Sequence, residues 1–141
     1  MKLRVSFLFF IGFSLLGFSQ YKEKKEDLVK YNTREMYNIF SQDVFDTISI
    51  YNNDSAINIF EKRINILGNY ISGENEFSIN YISYVILNFE LLTGIESESD
   101  SQYIGKISPT ESDIRRWKLW FNKNKEHLCW YREKEILYFK K

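Results

Sequence analysis

Hydrophobic side chains recur at steps of three and four residues through the middle of the chain, between charged and amide side chains. The longest regular series consists of Ile57, Phe60, Ile64, Leu67 and Ile71. Such spacing places apolar residues on one face of a helix. The pattern therefore predicts an amphipathic helix, with Asp54 or Ser55 as its N-cap residue. Ser72-Gly73 is the expected end, because Gly accepts the left-handed backbone that closes helices.

A second apolar series precedes this helix. It contains Met36, Phe40, Val44, Thr47, Ile48 and Tyr51. These residues also trace one helical face, so the sequence predicts a helix from Thr33 to Tyr51, with Thr33 as the N-cap residue. Asn52-Asn53 is expected to form a break between this helix and the next one. The charged residues 21–32 could form either a short helix or an irregular lead-in.

Residues 76–92 are apolar on most sides. Their β-branched and aromatic side chains would also suit a strand. The run is longer than a usual strand, however, and it stops at Gly94, a common type of helix end. We therefore predict a central helix that is buried on several faces.

Residues 94–108 are polar and acidic, which predicts a long connection. The segment Ser108-Pro109-Thr110-Glu111 comes next and resembles a helix start. Ser108 is the expected N-cap residue, and Pro109 the first helical residue, where its missing N–H costs nothing. A further helix is predicted from there to Asn124.

The end of the chain contains two apolar runs, 128–131 and 136–139, on either side of the charged residues 132–135. This arrangement predicts a short C-terminal β-hairpin, with an additional half-helix as the alternative. Taken together, the patterns predict a mainly α fold, a small helical bundle with a possible terminal hairpin.

The first residues differ in character from the rest. Two basic residues precede an apolar stretch at 5–18, and the small residue Ser19 follows. This order is typical of a secretory signal peptide, with cleavage expected between Ser19 and Gln20. An uncleaved anchor is the alternative, but the stretch is shorter than the roughly 20 residues that span a bilayer. The sequence predicts a signal peptide at 1–19 and a single helical domain at 20–141, without a membrane span, in the periplasm or outside the cell.

Charge and cysteine content narrow the class of protein further. The chain contains 19 basic and 19 acidic residues, and because two basic ones precede residue 20, the mature chain is slightly acidic. A nucleic-acid-binding protein normally carries a basic surplus, so the balance argues against that class. Cys129 is the only cysteine, which excludes an internal disulfide. Packing must supply the stability, and aromatic residues, 18% of the chain, are suited to it.

The candidate residues for a binding surface are aromatic. They are Tyr103 in the polar connection, and Trp117, Trp120 and Trp130 near the end of the chain. Trp117 and Trp120 are neighbours on one helix face and could form a platform for a sugar or a peptide. We favour the simpler interpretation that the three Trp side chains pack the last helix and the tail onto the central helix, because aromatic residues at helical spacing usually belong to a core.

No set of residues specifies a reaction. His127 and Cys129 could be metal ligands or a nucleophile pair, but the chain offers no second His or Cys for a metal site. Nor is there an evident group to orient a Cys–His dyad. The sequence therefore predicts no catalytic residue, no metal site and no cofactor.

Paired carboxylates could catalyse hydrolysis, which is the chemistry of the alternative hypothesis. Glu96, Glu98 and Asp100 lie in the polar connection and are expected to be solvated. Glu90 lies within the apolar central run, and we expect its side chain to face the surface. A hydrolase would need at least two of these acids to converge in a pocket.

The C-terminal segment carries a recurring order of residues. It contains Trp117, Trp120, Asn124-Lys125, Leu128 and Trp130. This WxxWxxxNKxxLxW order resembles the tail of a group of small exported bacterial helical proteins, and the similarity covers about residues 80–131. The resemblance implies a HEAT-like arrangement of helical hairpins and export from a bacterial cell. No activity comes with it, because the group has none assigned.

Export, one small domain, abundant aromatic residues and the absence of a catalytic set favour a binding function. We expect a periplasmic or surface interaction protein with a protein partner, and an immunity-type inhibitor of a secreted toxin is one concrete form. The alternatives are a carboxylate-dependent hydrolase and an accessory or scaffold module.

Overall fold

The structure is a computed structural model that describes residues 31–42, 45, 52–74, 76–102 and 105–140. The predicted signal peptide at 1–19 lies outside these residues. The helices and strands are α1 (Thr33–Ser41), α2 (Asn53–Ile71), α3 (Ile79–Thr93), β1 (Ser101–Gln102), β2 (Gly105–Lys106), α4 (Glu111–Asn124), β3 (Leu128–Tyr131) and β4 (Ile136–Phe139). The predicted mainly α fold is confirmed.

Helix α1 is shorter than the sequence predicted. Its N-cap residue is Asn32 rather than Thr33, because the Asn32 side chain accepts a hydrogen bond from the Glu35 N–H at 3.1 Å. The helix ends at Ser41, with Gln42 as its C-cap residue. The prediction of one helix as far as Tyr51 is therefore wrong at its C-terminal end, and residues 46–51 lie outside the described part of the chain.

Helix α2 also begins earlier than predicted. Asn52, not Asp54 or Ser55, is the N-cap residue, and its side chain accepts from the Ser55 N–H at 3.0 Å. The first turn then contains Asp54, where a carboxylate interacts favourably with the helix dipole. The predicted end is confirmed, with Ser72 as the C-cap residue and a positive φ of 80° at Gly73.

The predicted apolar face of α2 forms the centre of the main core. Phe60, Ile64 and Leu67 are all buried. The Phe60 ring stacks on Phe121 of α4 with 4.3 Å between ring centroids, and it contacts Phe89 of α3 at 4.7 Å. Three helices therefore meet around one aromatic side chain.

Helix α3 is the predicted central helix. Ser78 caps its start, and Gly94 closes it with a φ of 69°. Nine of its fifteen residues are buried. Such burial on several faces explains why the sequence in this region lacks a polar side.

The connection from α3 to α4 is more ordered than a plain loop, because β1 and β2 pair within it. The predicted N-cap at Ser108 is wrong. Thr110 caps α4 and forms a capping box with Asp113, so that Pro109 precedes the helix instead of beginning it. The Asp113 carboxylate accepts from the Thr110 N–H at 2.9 Å, which fixes this register.

A C-terminal β-hairpin follows α4, as the sequence predicted, and the alternative half-helix is wrong. Strands β3 and β4 pair antiparallel, with Leu128 opposite Phe139 and Trp130 opposite Leu137. Leu128 and Leu137 belong to the main core with Phe60. Ile136, on the other face, packs in a second core cluster with Met36 of α1 and Tyr84 of α3. The hairpin thus lies between two apolar clusters.

Asn53 connects the start of α2 to the segment that follows α4. Its side-chain amide nitrogen donates to the carbonyl oxygens of Lys125 at 2.8 Å, Leu128 at 2.9 Å and Glu126 at 3.3 Å. These carbonyls lie in the segment that leads from α4 into β3, so Asn53 fixes the start of α2 against this segment.

Candidate functional site

The structure separates the three Trp residues among the four aromatic candidates for a binding surface. Trp117 is completely buried and contacts Phe89 with 5.1 Å between ring centroids. Its indole nitrogen donates to the Ile95 carbonyl at 3.3 Å. Trp117 is therefore a core residue, as the simpler interpretation predicted. Tyr103 lies outside the described residues.

Trp120 and Trp130 are half-buried. Trp120 contacts Phe139 of β4, with 5.7 Å between the ring centroids. Trp130 of β3 instead lies over the guanidinium group of Arg63, with 5.2 Å from the guanidinium carbon to the ring centroid. Trp130 thus contacts the charge of a buried residue, and the candidate site is built around it.

Arg63 is the central residue of this site, and sequence reasoning missed it. It lies on α2 next to the apolar face and is only 2% exposed. One guanidinium nitrogen donates to the Asn88 side-chain oxygen at 2.7 Å, and another donates to the Glu135 carbonyl at 2.7 Å. The guanidinium also lies 5.8 Å from the centroid of the Tyr84 ring. A cation between two aromatic rings is stabilised by their negative faces.

Asn88 joins Arg63 to the C-terminal hairpin. Its side chain is fully buried on α3. The oxygen accepts from the Leu137 N–H at 2.9 Å, and the nitrogen donates to the Leu137 carbonyl at 2.8 Å. The amide therefore pairs with β4 as a neighbouring strand would, and it specifies where the hairpin lies on α3.

The turn of the hairpin is held by the same group of residues. The Tyr84 hydroxyl donates to the Lys134 carbonyl. Burial raises the pKa of Tyr84 well above its usual value, and the charge of Arg63 offsets this only in part, so the hydroxyl stays protonated and remains a donor. Glu135, whose carbonyl binds Arg63, has a positive φ of 53°. Backbone in this region is uncommon for a residue other than Gly, and it persists where contacts enforce it.

A cavity of about 220 Å³ lies beside Arg63. We call it the aromatic pocket. Its lining consists of Tyr31, Ile59, Lys62, Arg63, Phe77, Tyr81, Trp130 and Glu135. Tyr81 contacts Tyr31 edge-on with 4.8 Å between centroids, and it stacks on Phe77 at 4.9 Å. The pocket therefore combines a connected group of rings with two cationic side chains and one acidic side chain.

Two other cavities have fewer features of a binding site than the aromatic pocket. One of about 230 Å³ lies between α1 and the hairpin turn, where Lys134 and Glu35 form an ion pair at 2.6 Å. The other, of about 300 Å³, lies between α2 and α4 and is lined in part by Phe60 and Lys118. Neither contains a buried charge or a candidate aromatic residue from the sequence.

The acidic residues of the alternative hypothesis are bound to other groups. Glu90 does not face the surface as predicted: its side chain is 16% exposed and pairs with Lys106 at 2.8 Å. It also accepts from the Ser97 N–H at 2.7 Å. Burial alone would lower the pKa of Lys106, but its hydrogen bonds to Glu90 and Glu96 raise that pKa above the usual value. The ammonium thus stays charged and holds the connection onto α3.

Asp113 organises the other half of this connection. Its buried carboxylate accepts hydrogen bonds from the Glu98 N–H at 2.9 Å, the Ser97 hydroxyl at 2.8 Å and the Thr110 N–H, and it pairs with Arg116. Burial alone would raise the pKa of Asp113, but these hydrogen bonds lower it below the usual value. Asp113 is therefore a structural residue that is ionised at neutral pH. The pattern Thr110-x-x-Asp113 was the sequence signal for it.

These contacts give no support to a pair of catalytic carboxylates. Glu96 and Glu98 are 86% and 54% exposed at their side chains, and Asp100 is exposed, in agreement with the expected solvation. Glu90 and Glu96 bind the same ammonium group of Lys106. No described cavity brings two of these acids together.

Cys129 and His127 do not form a reactive pair. Cys129 is completely buried, and its sulfur lies 3.7 Å from the carbonyl oxygen of His127 rather than contacting the imidazole. Burial raises the pKa of the Cys129 thiol, which disfavours the thiolate that nucleophilic chemistry needs. Within the described part of the chain, no group of three or more His, Cys, Asp or Glu side chains could hold a metal ion.

Comparison with known proteins does not assign the chain to a family. No family model matches the sequence, and neither a curated protein nor a solved structure shows significant similarity to it. Among the helices that the structure describes, none has both the length and the apolar character needed to cross a bilayer.

Proposed function

We propose that this protein is an exported, mainly helical binding protein whose contact surface is centred on the aromatic pocket. The observation that carries the proposal is the position of Trp130 over the buried Arg63 guanidinium, at the edge of a cavity lined by further rings. Aromatic and Arg side chains are enriched where proteins bind partners. The partner on this proposal is a protein, and inhibition of a secreted toxin is one form that the binding could take.

The exposed apolar residues near the pocket support the same surface. Phe77 and Ile79, at the start of α3, are each 41% exposed. Phe77 lines the pocket, and Ile79 follows it closely along the chain. Exposed apolar side chains grouped next to a cavity are typical of interaction sites, whereas singly scattered ones are ordinary.

The size of the aromatic pocket favours an anchor point for a partner side chain over a site that encloses a small molecule. Pockets that enclose small ligands usually measure about 300–1,000 Å³. The aromatic pocket measures about 220 Å³ and has room for one inserted side chain. On this proposal it is an anchor point within a larger contact surface.

Two further parts of the proposal come from the sequence. On this proposal the signal peptide is cleaved between Ser19 and Gln20 during export, so the intact mass of the protein from its native host should equal that of residues 20–141. A HEAT-like relationship would make α2 and α3 one helical hairpin, joined by residues 72–78.

The experiment that tests the binding function is a comparative pull-down with the mature chain, residues 20–141. Native envelope and secreted fractions are passed over the protein and over two variants. Phe77→Ala removes an exposed ring of the pocket, and Leu119→Ala removes a 57% exposed apolar side chain of α4 as the matched control.

We expect one stoichiometric partner that survives moderate salt, that Phe77→Ala loses and that Leu119→Ala retains. The proposal fails if cross-linking also captures no partner, or if both variants capture the same partner equally well.

A further inference from the structure

We infer that the aromatic pocket receives an apolar side chain flanked by a carboxylate, presented by an acidic segment of a protein partner. This inference rests on the proposed binding function and adds the chemistry that the site would recognise. It follows from three properties of the pocket: its aromatic rings, a buried cation and an exposed cation.

The aromatic rings of the lining define what can enter. Phe77 is 41% exposed and stacks on Tyr81, whose ring also contacts Tyr31. Half-buried Trp130 provides a further ring of the lining. Inserting an apolar side chain here removes apolar surface of both molecules from water, and rings that are already packed lose little conformational freedom when they bind.

Arg63 provides a buried positive charge in the lining. The guanidinium is 2% exposed, so water screens its field less than that of a surface cation. Its hydrogen bonds to Asn88 and to the Glu135 carbonyl, together with Trp130, hold it in place. The charge is therefore fixed before any partner arrives.

Lys62 provides the second positive charge. It is exposed and lines the same pocket, and within the described residues it forms no salt bridge. Glu135 contributes the one carboxylate of the lining, so the two cations outnumber it. A partner carboxylate next to the inserted side chain would complement this surplus, whereas a lysine would be repelled.

The test uses the mature chain and three blocked pentapeptides in isotope-edited NMR. The first peptide is Gly-Glu-Phe-Glu-Gly, and the other two carry Gln or Lys in place of both Glu residues. We expect the Glu peptide to shift the Trp130 indole resonance and to bind at least fivefold more tightly than the Gln peptide, with the Lys peptide weakest. A neutral oligosaccharide serves as the probe for carbohydrate binding.

A charge reversal makes the test specific. Lys62→Glu should invert the preference, so that the Lys peptide binds more tightly than the Glu peptide. The matched control is Lys118→Glu, which changes an exposed lysine of α4 outside the pocket and should leave the order of the three peptides unchanged.

Equal binding of the Glu and Gln peptides, no binding of any peptide, or a Trp130 shift with the oligosaccharide alone would each overturn the inference. The proposed function would survive these results if the pull-down still captured a partner that depends on Phe77. If the pull-down captured no such partner, the proposed binding function itself would be contradicted.

Discussion

Three buried polar side chains position segments that have little regular structure of their own. Arg63 and Asn88 bind backbone groups of the C-terminal hairpin, and Asp113 binds those of the connection before α4. A buried polar group is costly unless it is hydrogen-bonded, and in each case the bonds are made to one particular stretch of chain. These residues therefore specify the position at which each segment packs. Apolar contacts alone are not directional and would define that position less well.

Replacement of Asn88 tests this role most directly. Asn88→Ala leaves the Leu137 N–H and carbonyl and one Arg63 donor without their partner in a buried position. Because each such loss costs about 1–3 kcal/mol, we expect the free energy of unfolding to fall by about 3 kcal/mol or more. Urea denaturation measures this loss, and Asn122→Ala, an exposed amide of α4, is the control. A loss below about 1 kcal/mol would contradict the role.

The carboxylate of Asp113 should make stability depend on pH in the acid range. Its pKa is lower in the folded protein than in the unfolded chain, where it is about 3.9. Its contribution is therefore complete above the unfolded pKa and is lost as the pH falls through the folded pKa. We expect Asp113→Asn to lower the free energy of unfolding at neutral pH by about 2 kcal/mol, with the difference from the wild type narrowing below about pH 4.

Denaturation curves of both proteins at several pH values provide the measurement. A difference that stays constant through the acid range would mean that ionisation of Asp113 does not contribute.

At the level of elements, the sequence predicted the glycine-terminated ends of α2 and α3 correctly, whereas the C-terminal end of α1 and the N-cap residues of α1, α2 and α4 were wrong. Gly73 and Gly94 closed α2 and α3 as expected, because each is the one residue nearby that adopts a positive φ cheaply. The starts offered several suitable caps. Asn52 and Asp54 both suit an N-cap position, and the choice depends on how the first turn packs, which a local pattern does not contain.

The candidate site was even less accessible to sequence reasoning. Arg63 binds a backbone carbonyl 72 residues away, and Asn88 binds the backbone of a residue 49 positions away. Any residue type can supply a backbone carbonyl, so no motif marks these partners. Trp130 could be singled out as an aromatic residue, but the cation beneath it became evident only from the fold.

Two glycines should respond in opposite directions to the same substitution. Gly68 lies within α2, with nothing within 4 Å of an added Cβ, so Gly68→Ala should raise the free energy of unfolding by about 0.5–1 kcal/mol. Gly105 of β2 has a φ of 108°, and an added Cβ would lie 2.4 Å from the Ser83 hydroxyl oxygen of α3. Gly105→Ala should therefore lower the free energy of unfolding by about 2 kcal/mol.

Urea denaturation of the two variants tests both glycines, each serving as the control for the other. Changes of the same sign would show that backbone conformation at Gly105 does not limit stability.

At the scale of the whole molecule, the C-terminal hairpin joins the two apolar clusters. Leu128 and Leu137 pack in the main core with Phe60, while Ile136 packs with Met36 and Tyr84. Because one pair of strands contributes to both clusters, neither cluster can open without disturbing the other. The described part of the chain should consequently unfold in one step.

Two optical probes can test this cooperativity. Tryptophan fluorescence reports on the side chains of α4 and β3, and far-ultraviolet circular dichroism reports on the helices. We expect the two to give the same denaturation midpoint in the wild type. Ile136→Ala should lower both midpoints together, with a loss of about 3 kcal/mol. Separate midpoints would show that the clusters unfold independently.

The three contacts of the Asn53 amide nitrogen have a practical consequence for producing the protein. Asn53-Asp54-Ser55 is an acceptor sequence for N-linked glycosylation in eukaryotic secretory cells. A glycan attached to that nitrogen would replace one of its two hydrogens and so disrupt its bonds to the carbonyls of Lys125, Glu126 and Leu128. Glycosylated material secreted from yeast or mammalian cells should therefore be less stable than the unmodified protein. A Ser55→Ala variant removes the acceptor sequence and keeps the backbone N–H that Asn52 caps.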